Sequence, residues 1–238
     1  MKLFDGLYLY EIVMLCLGIF LFVVLVLALI YQLMHRRNLA GLLAFFVLSI
    51  VMIGYPSIKS VQLQKDGVTI DKTTRELQSD PANPQTRAAL EKEVKQIGKR
   101  PVSDPATLTR IGNAQFALGD EKEAEEKAQM ALERDPHSAE ALELQNKITT
   151  LHKLDSATTE LEKHPDDPAA KAKLQETLSQ ASRQPTANPL ALTKIAKAQA
   201  ELGQRDKATE NVNKALQINP NLTEAKKVQT MIVARPAH

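Results

Sequence analysis

The sequence repeats itself at a fixed offset of 84 residues, so that residues 71–154 (the first copy) map onto residues 155–238 (the second copy) without a gap. Ten of the twelve prolines pair at this offset, for example Pro84 with Pro168 and Pro105 with Pro189. Proline interrupts helices except in their first turn, so matched prolines predict matched helix boundaries. The pattern indicates a tandem duplication, and a fixed period of this kind predicts a helical solenoid.

Within each copy, one stretch places small residues, a glycine and a proline at the spacing of a 34-residue helix-turn-helix unit. The residues of the first copy are Pro105, Leu108, Ile111, Gly112, Gly119, Ala124, Ala131 and Pro136. Those of the second copy are Pro189, Leu192, Ile195, Ala196, Gly203, Ala208, Ala215 and Pro220. Residues 105–138 and 189–222 thus resemble the tetratricopeptide repeat, in which small residues let two antiparallel helices approach closely and the glycine ends the first helix.

The resemblance implies a concave groove lined by the first helix of each pair. Carried over by position, the candidate partner-binding residues are Thr109, Asn113, Phe116, Thr193, Lys197 and Ala200. Phe116 is the only aromatic residue after Tyr55. It could anchor a peptide in the groove, or it could fill the core. The dicarboxylate clamp of chaperone-binding members requires a lysine where Thr109 stands, so we do not expect chaperone carboxyl termini to bind.

Almost all strongly apolar sequence lies before Pro56, in two runs. The first, at 12–30, is unbroken and long enough to span a bilayer as a helix. A cleaved signal peptide is the alternative, but its apolar region would be shorter and would follow positive charge, whereas Asp5 and Glu11 precede this run. The second, at 39–55, ends at Pro56, where we expect the helix to stop. Residues 1–56 are therefore predicted to be a two-helix membrane anchor.

The short connection between the two runs carries His35-Arg36-Arg37. Positive loops are retained in the cytoplasm, so both termini and the repeats are predicted to lie outside it, on the periplasmic face of a bacterial inner membrane. This layout is similar to that of the membrane-anchored periplasmic tetratricopeptide-repeat proteins of cytochrome c maturation. Those proteins have a long cytoplasmic loop between the two helices, whereas the connection here is short.

Residues 57–70 form a predicted linker. Val61 and Leu63, then Asp66-Gly67, then Val68 and Ile70 alternate in the pattern of a short β-hairpin, because Asp-Gly readily forms a two-residue turn. Two such short strands are marginal on their own in water. The segment is therefore either an ordered linker or a strand pair that forms on a partner.

Several classes of function are disfavoured by composition and motifs. The chain has 30 Lys and Arg against 28 Asp and Glu, without the basic excess that nucleic-acid binding requires. One cysteine, Cys16, and five histidines without metal-ligand spacing predict no zinc site. No glycine-rich phosphate loop and no nucleophile motif is present, so we expect neither a cofactor nor catalysis.

Taken together, these features predict an all-α protein: a transmembrane helical hairpin, a linker that is either simply ordered or a short β-hairpin, and a tetratricopeptide-like solenoid. The expected function is a scaffold or assembly factor that binds a protein partner on the periplasmic face. The alternative is a structural subunit of a larger membrane complex, recruited through its transmembrane hairpin. An enzyme is the least favoured interpretation.

Overall fold

The computed structural model describes residues 7–34, 40–183 and 186–234, and every regular element in those ranges is an α-helix. The helices are α1 Leu9–Met34, α2 Ala40–Ser79, α3 Pro84–Ile97, α4 Pro105–Leu118, α5 Glu121–Arg134, α6 Ala139–Lys163, α7 Pro168–Ala181, α8 Pro189–Glu201, α9 Arg205–Ile218 and α10 Thr223–Ala234. The prediction of an all-helical, repeat-type fold is confirmed. The connection that holds His35-Arg36-Arg37 lies outside the described residues.

The chain divides into two compact units. The apolar unit comprises the residues up to Val68 together with Gln96–Asp104, and the repeat unit comprises Thr69–Lys95 and the residues from Pro105 onward. Helix α2 begins in the apolar unit and ends in the repeat unit. Two stretches, Leu9–Met34 and Ala44–Ser79, are long and apolar enough to cross a membrane by length and composition.

In the apolar unit, α1 and α2 pack closely around Gly18. The Ser49 hydroxyl donates a hydrogen bond of 2.9 Å to the Gly18 carbonyl. A Cβ on Gly18 would lie only 2.9 Å from Met52 Cβ, so this contact requires glycine. The segment Gln96–Asp104 is hydrogen-bonded to the same unit, since the Tyr8 hydroxyl donates to the Lys99 carbonyl over 2.5 Å.

The expected end of the second apolar helix at Pro56 is wrong, because α2 continues through this residue to Ser79. Proline removes one backbone N–H and disturbs a single turn, but apolar helices often accommodate this when nearby groups adjust. One residue on, the Ser57 hydroxyl donates to the Ile53 carbonyl over 2.8 Å, within the same turn of helix.

The expected β-hairpin at 61–70 is also wrong, because this segment is helical. The residues that α2 buries recur at intervals of four and three, which is the period of a helix with one apolar face. From position 63 onward they are Leu63, Gly67, Ile70, Thr74 and Leu77, with Thr73 buried beside Thr74. The stripe continues past the point where the short alternation stops, so burial along a helical face outweighed the local Asp-Gly turn signal.

In the repeat unit, equivalent helices begin at equivalent prolines. Helices α3 and α7 start at Pro84 and Pro168, and α4 and α8 start at Pro105 and Pro189. The long helix α6 combines two segments of the repeat. Its first part, 139–150, corresponds to α10, and its last part, 155–163, corresponds to the last turns of α2. The repeat unit is therefore a row of antiparallel helix pairs, and the long helix α6 belongs to two successive pairs.

Alanines form the closest contacts between the paired helices. Ala124 and Ala128 of α5 are fully buried in a cluster with Leu144 and Ile148 of α6. In the second copy, Ala208 is equally buried, in a cluster that joins α8, α9 and α10. Small side chains at these positions allow the helix axes to approach, so the core is close-packed although it contains few large residues.

The first helices of two repeat pairs, α4 and α8, are each followed by a glycine with positive φ, which is +100° at Gly119 and +74° at Gly203. After Gly119, the Asp120 N–H donates to the Gln115 carbonyl over 2.9 Å. The Gln204 N–H donates to the Gln199 carbonyl in the same way, over 2.8 Å. These C-terminal capping bonds satisfy carbonyls that a helix end otherwise leaves without a partner. They also fix the direction in which the chain enters α5 and α9.

Candidate partner-binding groove

A cavity of about 320 Å³ opens in the repeat unit between α4, α6 and the connection from α7 to α8. Its apolar lining consists of Phe116, Ala117, Leu151, Ala181, Ala187, Ala191 and Ile195. Its uncharged polar lining consists of Gln78, Asn113, Asn146, Thr150, Gln180 and Thr186. The cavity thus combines an apolar wall with a set of amide and hydroxyl groups, as binding sites in proteins commonly do.

Phe116 both closes the core and faces the cavity. It lies in the last turn of α4, is half-buried, and packs against the cluster of Ala124, Ala128, Leu144 and Ile148. It also lines the cavity, one turn after Asn113 on the same helix. The two interpretations of Phe116, groove anchor and core residue, are therefore compatible with each other, because different parts of the ring have different neighbours.

The charged groups of the lining are Glu143, Lys147 and Arg183. Lys147 Nζ lies 2.8 Å from Glu143 Oε1, one turn earlier on α6. Arg183 is exposed at the end of α7. Because the first two charges largely neutralise each other, the cavity has only a small positive excess.

A second cavity, of about 570 Å³, adjoins the first. It lies between α8, α9 and the turn that joins α2 to α3, and Gln78, Thr186 and Ile195 line both cavities. The two cavities are therefore neighbours, and Gln78 at the end of α2 lines both of them.

Arg87 of α3 holds two sides of the first cavity together. Its guanidinium donates to the Leu118 carbonyl over 3.0 Å and to the Ala187 carbonyl over 3.2 Å. Burial lowers the pKa of Arg87, while the nearby carboxylates of Glu91 and Asp120 oppose that shift. The end of α4 and the connection before α8 are thus joined by one side chain.

The sequence had not singled out Arg87. Its partners are backbone carbonyls distant in the chain, and its counterpart in the second copy, Lys171, is exposed. A similar link joins α5 to α8, where Lys194 Nζ lies 2.5 Å from Glu121 Oε2 and both side chains are largely buried.

Of the six predicted partner-binding residues, the structure brings Asn113 and Phe116 together in the cavity. The remaining four lie elsewhere. Thr109 and Thr193 are buried, and their hydroxyls donate to the carbonyls of Pro105 and Pro189 over 2.8 Å each.

Ala200 is buried in the cluster of α8, α9 and α10. Lys197 pairs with Glu162 at 3.0 Å, outside the cavity. A contact between a partner and any of these four residues stays a prediction. Across the described ranges, no three His, Cys, Asp or Glu side chains lie close enough to hold a metal ion.

Residues 190–222 match the family model of the tetratricopeptide repeat. The match covers nearly all of α8, the whole of α9 and the turn that follows, so the resemblance predicted for the second copy is confirmed. No curated protein and no solved structure matches the chain. The resemblance of the first copy, which is based on the internal duplication, stays a prediction, as does the similarity in layout to the cytochrome c maturation proteins.

Proposed function

We propose, from the premise that residues 190–222 form a tetratricopeptide repeat, that the chain is a membrane-anchored scaffold or assembly factor. Its protein partner binds in the groove between α4, α6 and the α7–α8 connection. Tetratricopeptide repeats generally bind proteins and are typical of scaffolds without catalytic activity. The observation that carries the proposal is the cavity that Phe116 and Asn113 line together.

Membrane anchoring is supported by the exposed apolar surface of α1. Phe20 is 68% exposed and Leu27 is 62% exposed, although neither has a polar atom in its side chain. A continuous surface of this kind is unfavourable in water and favourable in lipid. We propose that α1 and the apolar part of α2 cross a bacterial inner membrane as a hairpin, with the repeat unit on the periplasmic side.

The side of the membrane can be tested with reporter fusions. Alkaline phosphatase is active only outside the cytoplasm, so a fusion after Ser60 should be active and one at Asn38 should be inactive, since Arg36 and Arg37 hold that connection inside. The opposite pattern would place the repeat unit in the cytoplasm.

The groove can be tested by co-purification from mild detergent with full-length protein. The double variant Phe116→Ala, Asn113→Ala should lose the protein that the wild type retains, while its helical circular dichroism and membrane insertion stay normal. The matched control is Lys122→Ala, an exposed residue of α5 that lines neither cavity, which should retain the partner. Adding Lys197→Ala, at the counterpart of Asn113 in the second copy, to the double variant should keep the partner lost.

A second function is favoured by the same exposed apolar surface of α1, which another transmembrane subunit could cover instead of lipid. On this alternative, the chain is a structural subunit of a larger membrane complex, recruited through its hairpin. Replacing the two membrane helices by an unrelated hairpin would then lose the partner, whereas the groove variants would keep it.

A further inference from the structure

We infer that the cavity at Phe116 takes one large apolar side chain from an uncharged, extended segment of the partner. This inference rests on the proposed function, because it assumes that the groove binds a protein. It goes further by specifying which chemistry the segment has.

The volume of the cavity suits a side chain with its adjoining main chain. At about 320 Å³, it is at the lower end of the range of roughly 300 to 1,000 Å³ for ligand pockets. One bulky apolar side chain leaves room for the peptide groups on either side of it.

The apolar side of the cavity leaves room for a side chain, and its aromatic ring is fixed by packing. Ala117, Ala187 and Ala191 are buried but have short side chains, so they leave space in front of them. Phe116 is held from behind by its contacts with the α5 and α6 cluster. A fixed aromatic beside small residues is the arrangement in which interfaces concentrate binding energy, because little entropy is lost when the ligand docks.

The polar lining is suited to peptide groups. In the described part of the chain, the side-chain amides of Asn113 and Asn146 have no hydrogen-bond partner, and both line the cavity with some exposure to solvent. An amide side chain carries both a donor and an acceptor, so it can bond the C=O and N–H of an extended main chain. These two residues, from α4 and α6, would therefore hold the backbone of the segment independently of its sequence.

The charges of the lining favour an uncharged segment. An acidic residue would have to compete with Glu143 for Lys147, which already pairs with it at 2.8 Å. A basic residue would face Lys147 and Arg183. Since Glu143 and Lys147 satisfy each other, Arg183, exposed beyond the end of α7, is the one charged group of the lining left for an acidic residue, and none is left for a basic one.

The second copy supplies an internal control, because it does not reproduce these residues. The counterparts of Asn113, Phe116 and Glu143 are Lys197, Ala200 and Lys227. The combination of an amide, an aromatic ring and a carboxylate at these positions is thus a property of the first copy.

The test is selection of a displayed random-peptide library on full-length protein in detergent. The expected consensus has one large apolar residue flanked by uncharged residues. Synthetic peptides of that consensus, with both ends blocked, should bind about tenfold or more weakly to Phe116→Ala, as is typical of an interface hot spot. Phe116→Leu, which keeps the core filled, should lose less, and Asn113→Ala should weaken binding several-fold. Lys122→Ala, at an exposed position of α5 outside both cavities, should bind like the wild type.

The outcomes separate the inference from the proposed function. A consensus rich in acidic or basic residues that still depends on Phe116 would overturn the inference and leave the groove as a protein-binding site. Peptides whose binding is unaffected by Phe116→Ala and Asn113→Ala, or a selection that enriches no peptide, would overturn the inference. If co-purification of the partner also survives the groove double variant, the proposed function falls with it.

Discussion

Alanine substitutions at Gly203 and Gly119 separate the cost of backbone conformation from the cost of space. At Gly203, with φ of +74°, a Cβ would meet nothing within 4 Å. An L-residue in the left-handed region costs about 1–2 kcal/mol, and alanine offsets roughly 0.4–1 kcal/mol of this by restricting the unfolded chain. We therefore expect Gly203→Ala to lower the free energy of unfolding by about 0.5–1 kcal/mol.

At Gly119, φ is +100°, beyond the left-handed range of about +50° to +70°. The strain is correspondingly larger, and we expect a net loss of about 1–2 kcal/mol. Steric contact adds little, because the nearest atom to a Cβ would be Pro189 Cδ at 3.5 Å.

Thermal unfolding of the full chain in detergent, followed by circular dichroism, measures both effects. A domain of this size loses roughly 2–4 °C of Tm per kcal/mol. Asparagine tolerates the left-handed region, so Gly203→Asn should recover much of the loss. An equal or larger loss at Gly203 than at Gly119, or no recovery with asparagine, would refute the assignment of these helix ends to positive φ.

Three further predictions concern the repeat unit. Ala124→Leu and Ala208→Leu should overpack fully buried positions and lower the free energy of unfolding in denaturant by about 1–3 kcal/mol. The control is Ala172→Leu, at an exposed site on α7. An unchanged denaturation midpoint for the first two variants would contradict the assignment of close helix contacts. Burial raises the pKa of Asp120, and the nearby carboxylates of Glu123 and Glu91 raise it further. The folded state therefore favours the protonated carboxyl group, and the stability that this form contributes is lost as pH rises through the raised pKa. Asp120→Asn should therefore raise Tm slightly at neutral pH, and this advantage should disappear below the ordinary carboxyl pKa of about 3.9; an equal gain at every pH would exclude the electrostatic cause. Residues 71–238 should be soluble and helical without metal, as judged by circular dichroism and gel filtration, and aggregation of this fragment would show that it depends on the rest of the chain.

The duplication made much of the repeat unit predictable. Matched prolines placed the starts of α4 and α8, and the glycines at 119 and 203 end the first helices with positive φ, as the motif requires. These features are local, because each depends on the backbone preference of a single residue. The course of α2 was harder to predict, since the Asp66-Gly67 turn signal is also local but the packing of a longer helical stripe outweighs it.

The groove was only partly predictable. Asn113 and Phe116 were found by position within the motif, whereas Thr109 and Thr193 turned inward to bond carbonyls of their own helices. The opposite wall comes from the α7–α8 connection, which Arg87 joins to α4. No pattern along the chain indicates a bond between residues this far apart, because it arises from how the helix pairs stack.

Arg87 and Lys194 also affect how the protein would respond to mechanical force. Solenoids usually yield one repeat at a time, because each repeat contacts only its neighbours. Here the bond from Arg87 to Ala187 and the ion pair of Lys194 with Glu121 connect residues 100 and 73 positions apart. Tension applied between the two copies would therefore act on these two links as well as on the contacts between neighbouring helix pairs, and it would have to break both links before the copies separate.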